Sequence, residues 1–180
     1  MIDEPGLVTR RHRKGDADSV AVYSPCERFR YLLRRVWQPE AGHVHFIMLN
    51  PSTATEVQND PTVERCERRA RALGYGGFTV TNIFAWRETD PQAMRRVPDA
   101  VGPENDRAIL QAARNADRTV AAWGAHGAHR GRGAEVAEML AAEGVTPYHL
   151  GLTRDGQPRH PLYVAYATQP QPWEQAAENE

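Results

Sequence analysis

Residues 43–54 read His43-Val44-His45-Phe46-Ile47-Met48-Leu49-Asn50-Pro51-Ser52-Thr53-Ala54. The apolar part has the length of a buried strand, and the proline that follows prevents the strand from continuing inside a sheet. The break leaves the amide of Asn50 at the carboxyl end of a core strand. Because ligands of open α/β sheets bind at the carboxyl ends of the strands, this amide is the first candidate for a functional group.

Composition restricts the class of protein. A chain of 180 residues with 41% hydrophobic residues is long enough for one domain with a full core. The net charge of −1 and the pI near 6.7 argue against nucleic-acid binding over the whole surface, while local basic patches stay compatible with it. Two cysteines, Cys26 and Cys66, are too few for an iron–sulfur cluster or a four-cysteine zinc site.

The sequence also bears on the compartment. No apolar run approaches the roughly 18 residues of a membrane span, and the first residues lack the hydrophobic core of a signal peptide. We therefore expect a cytoplasmic protein without a membrane partner. The sequence does not fix the oligomeric state, and a monomer is the favoured expectation.

Three segments are predicted along the chain: a flexible N-terminal arm over 1–17, a single α/β domain over 18–165 and a C-terminal tail over 166–180. Within the domain, residues 19–23 and 27–36 look extended, the second with a period near two, and together they predict an antiparallel hairpin at a sheet edge. A helix over 27–36 is the alternative.

From residue 44 onward, predicted strands alternate with predicted helices. The first helix begins at Asp60-Pro61, since Asp is a favoured N-cap and proline is favoured in the first turn. Such alternation favours a parallel sheet with helices on both faces. Small polar residues follow each strand, so that one edge of the sheet would collect them. The predicted strands are 44–49, 78–84, 119–123 and 146–150.

Three polar residues in these loops have both a functional and a structural interpretation. Asn50 can orient a water molecule, or can merely cap the turn before Pro51. His160 precedes a proline that restricts its backbone, so a neutral ring could be aimed at a developing oxyanion; an exposed loop histidine is the alternative. Asn82 can read the edge of a base, or can be a buried amide satisfied by the backbone.

Two further groups of residues have the composition of a phosphate or a metal site. The glycine-rich segment 123–131 is a candidate phosphate cradle, although no Lys-Ser/Thr follows its glycines as in a Walker loop. His126 with His129, and His43 with His45, have spacings found in metal sites, but no third ligand is apparent and we expect no metal. The acidic candidates for a general base stand where helix caps or turns favour aspartate: Asp60, Asp90 and Asp106.

Several motifs together resemble those of one family of uncharacterised bacterial domains, over roughly residues 20–165. They are Cys26…Tyr31, Leu49-Asn50-Pro51-Ser52-Thr53-Ala54, Asn59-Asp60-Pro61-Thr62, Asn82-Ile83-Phe84-Ala85-Trp86-Arg87, Gly102-Pro103-Glu104-Asn105-Asp106, Ala122-Trp123-Gly124 and His160-Pro161-Leu162-Tyr163.

The order of these motifs also looks like that of the uracil-DNA glycosylase superfamily. This resemblance implies a three-layer α/β sandwich with a central four-stranded parallel sheet in the order 2-1-3-4, to which the N-terminal β-hairpin is added here. It implies that Asn50 holds the attacking water, that Asn82 reads the base and that His160 faces a base carbonyl. Ala122-Trp123-Gly124 resembles the segment that ends the third strand in that superfamily.

The resemblance makes a DNA glycosylase-like hydrolase the leading hypothesis. Such an enzyme cleaves the N-glycosidic bond of uracil or a related damaged base in single- or double-stranded DNA, during base-excision repair, and needs no metal or organic cofactor. The alternatives are a nucleobase- or nucleic-acid-binding module without catalysis and an enzyme that acts on free modified nucleotides. The predicted site comprises Asn50 and His160 for catalysis, Asn82, Pro51, Ser52 and Trp123 for the base, and Ser52, Thr53, Gly124, Arg130, Arg154 and Arg159 for phosphates.

Overall fold

A computed structural model describes residues 1–174, which form one sheet flanked by helices. The strands are β1 Val8–Lys14, β2 Ala17–Tyr23, β3 Arg30–Val36, β4 Val44–Met48, β5 Gly77–Asn82, β6 Arg118–Ala121, β7 Tyr148–His149 and β8 Gln171–Pro172. Their spatial order is β1-β2-β3-β5-β4-β6-β7-β8. The helices are α1 Pro61–Ala72, α2 Pro91–Arg95, α3 Asn105–Arg114 and α4 Arg132–Ala142. Among residues 1–174, none of these helices has the length and apolar composition needed to cross a bilayer.

The predicted fold, a three-layer sandwich around a four-stranded parallel sheet in the order 2-1-3-4, is wrong. The sheet has eight strands and is mixed. Its antiparallel pairs are β1–β2, β2–β3, β3–β5 and β7–β8, and its parallel pairs are β4–β5, β4–β6 and β6–β7. The alternation of strands and helices after residue 44 did not reveal that three antiparallel strands extend the same sheet on one side and a fourth on the other.

The N-terminal strands show why pattern alone missed them. The predicted hairpin is confirmed as β2 and β3, but it lies inside the sheet, since β3 pairs with β5 and β1 covers the outer edge of β2. Strand β1 contains Arg10-Arg11-His12-Arg13-Lys14, and four of its seven residues are exposed. Charged side chains are common on edge strands because they prevent pairing with other chains, and they leave no apolar period to detect.

The C-terminal tail predicted over 166–180 is described only in part. Strand β8 lies within it and pairs with β7, which is itself only two residues long. Residues 175–180 lie outside the described residues.

Helix α1 begins at the residue that the sequence predicts. The Asp60 carboxylate accepts a hydrogen bond from the Val63 N–H at 2.8 Å, and Pro61 occupies the first turn, where its missing N–H costs nothing. The helix ends before Gly74, which takes a left-handed conformation with φ of 84°.

Two apolar clusters place the helices on opposite faces of the sheet. Side chains alternate along β4, so Phe46 packs with Val63 and Cys66 of α1, while Ile47 packs with α3 and α4. The connection leaving β4 therefore runs to one face and the connection leaving β6 to the other. Between them a crevice opens at the carboxyl ends of these two neighbouring strands.

Candidate functional site

A cavity of about 620 Å³ lies in this crevice. Its volume falls within the range that small organic ligands occupy. The walls come from four loops, 49–52, 88–91, 123–126 and 153–163, and from Thr62 of α1. Aromatic and aliphatic side chains alternate there with amide, hydroxyl, carboxylate, imidazole and guanidinium groups, a mixture that suits a planar ligand with polar edges.

The side chain of Asn50 is fixed through its amide nitrogen. Nδ2 donates to the carbonyl oxygen of Glu88 at 2.6 Å and to that of Pro51 at 3.3 Å. Because carbonyl oxygens only accept hydrogen bonds, the atom beside them must be Nδ2 and not Oδ1. Within residues 1–174, Oδ1 has no hydrogen-bond partner, so the cavity contains a fixed and unoccupied acceptor.

His160 contributes the complementary group, a neutral donor. Its Nδ1 accepts a hydrogen bond from the Leu162 N–H at 3.4 Å, which places the proton of the neutral ring on Nε2. Burial lowers the pKa of His160 to about 4, although the Asp60 carboxylate acts in the opposite direction. The ring is therefore neutral at pH 7, and Nε2 has no partner in the part of the chain that the structure describes.

Gly124 permits the close approach of His160 to β6. Its φ is +73°, and a Cβ at this position would lie 3.3 Å from the His160 Cβ. With a ψ of −172°, this is a conformation that residues other than glycine rarely adopt, and a side chain at position 124 would also contact the His160 Cβ. Its N–H donates to the Pro158 carbonyl at 2.8 Å, which ties the His160 loop to the end of β6.

Two further glycines, Gly127 and Gly133, pack against Trp123. A Cβ on Gly127 would lie 1.9 Å from the indole, and one on Gly133 would lie 2.8 Å from its Nε1. The Nε1–H donates to Gln157 at 2.9 Å, and the ring of Trp173 packs edge-on at 5.5 Å. These contacts fix the indole as one wall of the cavity.

Glu88 adds a carboxylate beside Asn50. Its Oε1 accepts from the backbone N–H groups of Thr89 at 2.9 Å and Asp90 at 3.2 Å. Its backbone N–H donates to the Pro51 carbonyl at 2.9 Å, and its backbone carbonyl accepts from Asn50 Nδ2. These two hydrogen bonds connect Glu88 to the Asn50-Pro51 turn. The second carboxylate oxygen, Oε2, has no partner among the described residues, and the side chain lines the cavity.

Two buried arginines support the loop that follows Asn50. Arg30 donates to the Ala54 carbonyl at 2.7 Å, and Arg35 donates to the Thr55 carbonyl at 2.7 Å. The second carboxylate oxygen of Asp60 accepts from the Ala54 N–H at 3.2 Å. Burial lowers the pKa of Arg30 to about 10, and Asp60 opposes this shift. The loop is thus held from beneath by side chains that solvent does not reach.

The structure brings some of the predicted site residues together and leaves others apart. Asn82 does not line the cavity: its side chain is buried on the face of β5 that Val80 shares, and within residues 1–174 its Oδ1 has no partner. Those that line the cavity are Asn50, Ser52, Trp123, Gly124, Arg159 and His160. Those that do not are Pro51, Thr53, Asn82, Arg130 and Arg154.

Sequence reasoning missed several residues of the cavity. Glu88 is the most informative, because it stands one residue after the quoted motif 82–87 and begins the turn Glu88-Thr89-Asp90-Pro91. The sequence signal that could have identified Glu88 is an acidic residue in a turn between a strand and a helix. The others are Leu49, Thr62, Thr89, Pro91, Ala125, His126, Thr153, Leu162 and Tyr163.

Three of the four histidines with metal-like spacing form other hydrogen bonds. The Nε2 atoms of His43 and His45 form hydrogen bonds with the hydroxyls of Thr79 and Thr81, at 2.7 and 2.8 Å. His129 accepts from Arg95 at 3.4 Å. Over residues 1–174, no three histidine, cysteine or acidic side chains come close enough together to bind a metal ion.

Exposed arginines are distributed unevenly over the surface. Seven form ion pairs with carboxylates: Arg10, Arg11, Arg13, Arg68, Arg71, Arg107 and Arg114. Six have no carboxylate partner among the described residues: Arg28, Arg95, Arg96, Arg130, Arg154 and Arg159. We call these six the arginine rim.

The arginine rim lies at the cavity edge of the sheet, with Arg95 in the last turn of α2 and the other members in the connecting segments. Arg159 lines the cavity itself, and Arg28 reaches this edge because its carbonyl accepts from the Arg87 N–H at 2.9 Å. Arg130 donates to the Pro98 carbonyl at 2.7 Å, beside α2. The same edge also carries carboxylates. Glu88, Asp90 and Asp99 accept hydrogen bonds from backbone N–H groups in turns, and Asp155 is exposed.

Comparison with known proteins identifies a family but no activity. Residues 30–162 match the model of a family described as "Protein of unknown function (DUF1643)". Searches of curated proteins and of solved structures give no match. Nothing in these comparisons links the chain to the uracil-DNA glycosylase superfamily. Since the match spans most of the chain, the protein belongs to the DUF1643 family.

Proposed function

We propose that the protein hydrolyses the N-glycosidic bond of uracil or a related damaged base in DNA, a glycosylase-like step of base-excision repair. One observation carries the proposal: a fixed acceptor, Asn50 Oδ1, and a fixed neutral donor, His160 Nε2, line one cavity of the right size for a base. We infer that the target base enters this cavity after leaving its stack.

The chemistry needs a water molecule whose lone pair faces the sugar. Water that donates one hydrogen to Asn50 Oδ1 and the other to the Glu88 carboxylate would present its oxygen to C1′. The new C1′–O bond forms as the C1′–N bond breaks, and the electron pair of that bond leaves on the base. The proton lost by the water passes to Glu88, which acts as the general base.

His160 would stabilise the departing base. A neutral imidazole can donate its Nε2–H to a base carbonyl on which negative charge develops, and it does so without first transferring a proton. The lowered pKa of His160 supports this role, because the ring stays neutral over the physiological range. Asn82 lies outside the cavity, so the proposal assigns it no contact with the base.

The arginine rim supports DNA as the partner. A free nucleotide presents its phosphates at one point, whereas a strand presents one charge per nucleotide along its length. Arginine side chains spread over several loops of one edge suit the second arrangement. We further infer a cytoplasmic enzyme that needs no cofactor; Cys26 and Cys66 are both free thiols, as a reducing compartment favours.

The test incubates the protein with single- and double-stranded oligonucleotides that contain one uracil, followed by alkali to cleave abasic sites. We expect strand scission with the natural protein and a loss of about 100-fold or more in rate for Asn50→Ala, because the water loses its acceptor. Gln92→Ala is the control, since Gln92 is an exposed amide near the same edge that does not line the cavity.

Binding measurements separate the alternatives. The Asn50→Ala protein should still bind the oligonucleotide, with an affinity that falls steeply as salt rises. Binding without scission by the natural protein, at stoichiometric amounts, would reject hydrolysis and leave a nucleobase-binding module. Release of uracil from deoxyuridine monophosphate but not from the oligonucleotide would instead identify an enzyme of free nucleotides.

A further inference from the structure

Arg34 is an arginine on one face of the sheet. It lies on β3, paired in register with Val20 of β2 and Thr79 of β5, and it points to the face opposite Leu33. The side chain is half-buried. Within residues 1–174 its guanidinium makes no hydrogen bond, no ion pair and no contact with an aromatic face.

This state sets Arg34 apart from the other arginines that are not fully exposed. Each of the others donates to a backbone carbonyl, a carboxylate or a hydroxyl, or stacks on an aromatic ring. They are Arg30, Arg35, Arg65, Arg69, Arg87, Arg118 and Arg132. A partly desolvated cation without such a partner is costly, and proteins retain few of them without a ligand.

The guanidinium opens into a second cavity, of about 420 Å³. The described side chains around it are neutral: Thr79, His43, Gln111 and Asn115 supply polar groups, while Leu32, Val36 and Ala112 supply apolar surface. Of the lining residues that the structure describes, none is a carboxylate.

Among the described residues, no carboxylate is paired with Arg34, and the Asp117 carboxylate beside the cavity accepts the His43 N–H at 2.7 Å. Burial lowers the pKa of Arg34, and the second cause is another cation, Arg11. Burial, with Arg34 as the next cause, lowers the pKa of His43 to about 4, so this ring is uncharged at pH 7. Arg34 also borders a neighbouring hollow that contains Asp18, but that carboxylate is paired with Arg13 at 2.6 Å.

We propose that the Arg34 cavity binds a small organic molecule through an oxyanion, a carboxylate or a phosphate. The planar fork of an arginine matches both groups and binds them with two parallel hydrogen bonds. The apolar side chains that line the same cavity, Leu32, Val36 and Ala112, would contact the rest of the ligand. The site is separate from the glycosylase-like cavity, because Arg34 lies beside the start of β5 whereas Asn50 follows the end of β4.

The experiment titrates ¹⁵N-labelled protein with inorganic phosphate and, separately, with acetate, against sodium chloride at the same ionic strength. We expect saturable shifts of the amide signals of His43, Thr79 and Asn115 with at least one oxyanion. Arg34→Gln should weaken this binding about tenfold or more, and Arg34→Lys should weaken it less, because it keeps the charge but loses the fork. Both variants should fold, since Arg34 has no partner to lose among residues 1–174.

The control is Arg114→Gln, which removes an exposed arginine already paired with Glu143. Saturation with phosphate alone assigns the ligand to phosphate esters, and saturation with acetate alone assigns it to carboxylates. The proposal is overturned if neither anion gives saturable shifts, or if Arg34→Gln binds as tightly as the natural protein.

Discussion

A single backbone conformation positions the imidazole of the candidate site. Gly124 combines a left-handed φ with a close approach to His160, so Gly124→Ala should have two effects. The strained backbone should lower the free energy of unfolding by about 1–2 kcal/mol. The added methyl, 3.3 Å from the His160 Cβ, should displace the ring and slow uracil release. Urea unfolding and the scission assay measure the two effects separately.

Gly131 provides the matched control for this prediction. Its φ of +68° and ψ of 12° are left-handed helical, a conformation that alanine adopts at a smaller cost than that of Gly124, and a Cβ there would meet no atom of the described residues within 4 Å. Gly131→Ala should therefore lose less stability than Gly124→Ala and keep its rate of uracil release. Equal rates in the two variants would show that the contact between Gly124 and His160 does not position the ring.

Some residues of the candidate site are easier to predict from the sequence than others. Asn50 and His160 could be identified because prolines restrict the backbone beside each of them, and this restriction is visible in the sequence. For Glu88 the sequence offers only the weaker signal of an acid in a turn, because its place in the cavity depends on the hydrogen bond between its N–H and the Pro51 carbonyl. The position of Asn82 depends on which face of β5 it occupies. All residues of β5 are buried, so the sequence shows no alternation of apolar and polar residues that would identify this face.

At the scale of elements, one carboxylate joins helix α1 to the loop that contains Asn50. Asp60 caps the helix through Val63, holds the Ala54 N–H and compensates the buried Arg30. Asp60→Ala should therefore lower the free energy of unfolding by about 2–4 kcal/mol, more than a cap alone contributes. Chemical denaturation followed by tryptophan fluorescence measures the change.

Asp90→Ala isolates the contribution of a cap. Asp90 accepts from the Gln92 N–H at 2.9 Å at the start of α2, but it is exposed. Its loss should lower the free energy of unfolding by about 1 kcal/mol or less. If Asp60→Ala were no more destabilising than Asp90→Ala, the carboxylate would not support the loop through Ala54 and Arg30.

Elements that bury an apolar face are predictable, and elements that do not are missed. The apolar run of β4 and the Asp60-Pro61 start of α1 are confirmed by the structure. Strand β1 consists mostly of exposed charged residues, and its pairing with β2 uses backbone groups that every sequence has. Its side chains therefore give no information about the sheet, which is one reason why the central sheet was predicted with four parallel strands and the antiparallel hairpin was placed at its edge.

For the whole molecule, the arrangement of ion pairs indicates a basic surface that the net charge does not. A net charge of −1 gives no indication of a basic surface. The fold pairs the exposed arginines of the other surfaces with carboxylates, whereas the arginine rim beside the cavity has no carboxylate partner among the described residues. Which arginines have partners depends on contacts between distant segments, such as Arg71 with Asp16, so composition alone could not predict it.

Buried histidines determine how the stability of the whole molecule responds to acid. The pKa values of His43 and His160 are lowered to about 4 and that of His45 to about 3, in each case mainly by burial. In the unfolded chain these groups titrate near pH 6.5. Between these limits the unfolded state binds more protons than the folded state, so the free energy of unfolding should fall as the pH drops from about 6.5 toward 4.

The predicted slope can be tested with one variant. Each histidine contributes up to about 1.4 kcal/mol per pH unit, so the three together contribute up to about 4 near pH 5, above the range in which most carboxylates titrate. His45 is fully buried between Thr81 and Thr119. His45→Gln removes the titratable imidazole but keeps an amide that can form hydrogen bonds with the two hydroxyls. Urea unfolding at several pH values should then give a slope about one third smaller, whereas His12→Gln, at an exposed position, should leave it unchanged. A slope that His45→Gln does not alter would mean that His45 does not stay neutral in the folded protein, and that carboxylates account for the acid sensitivity.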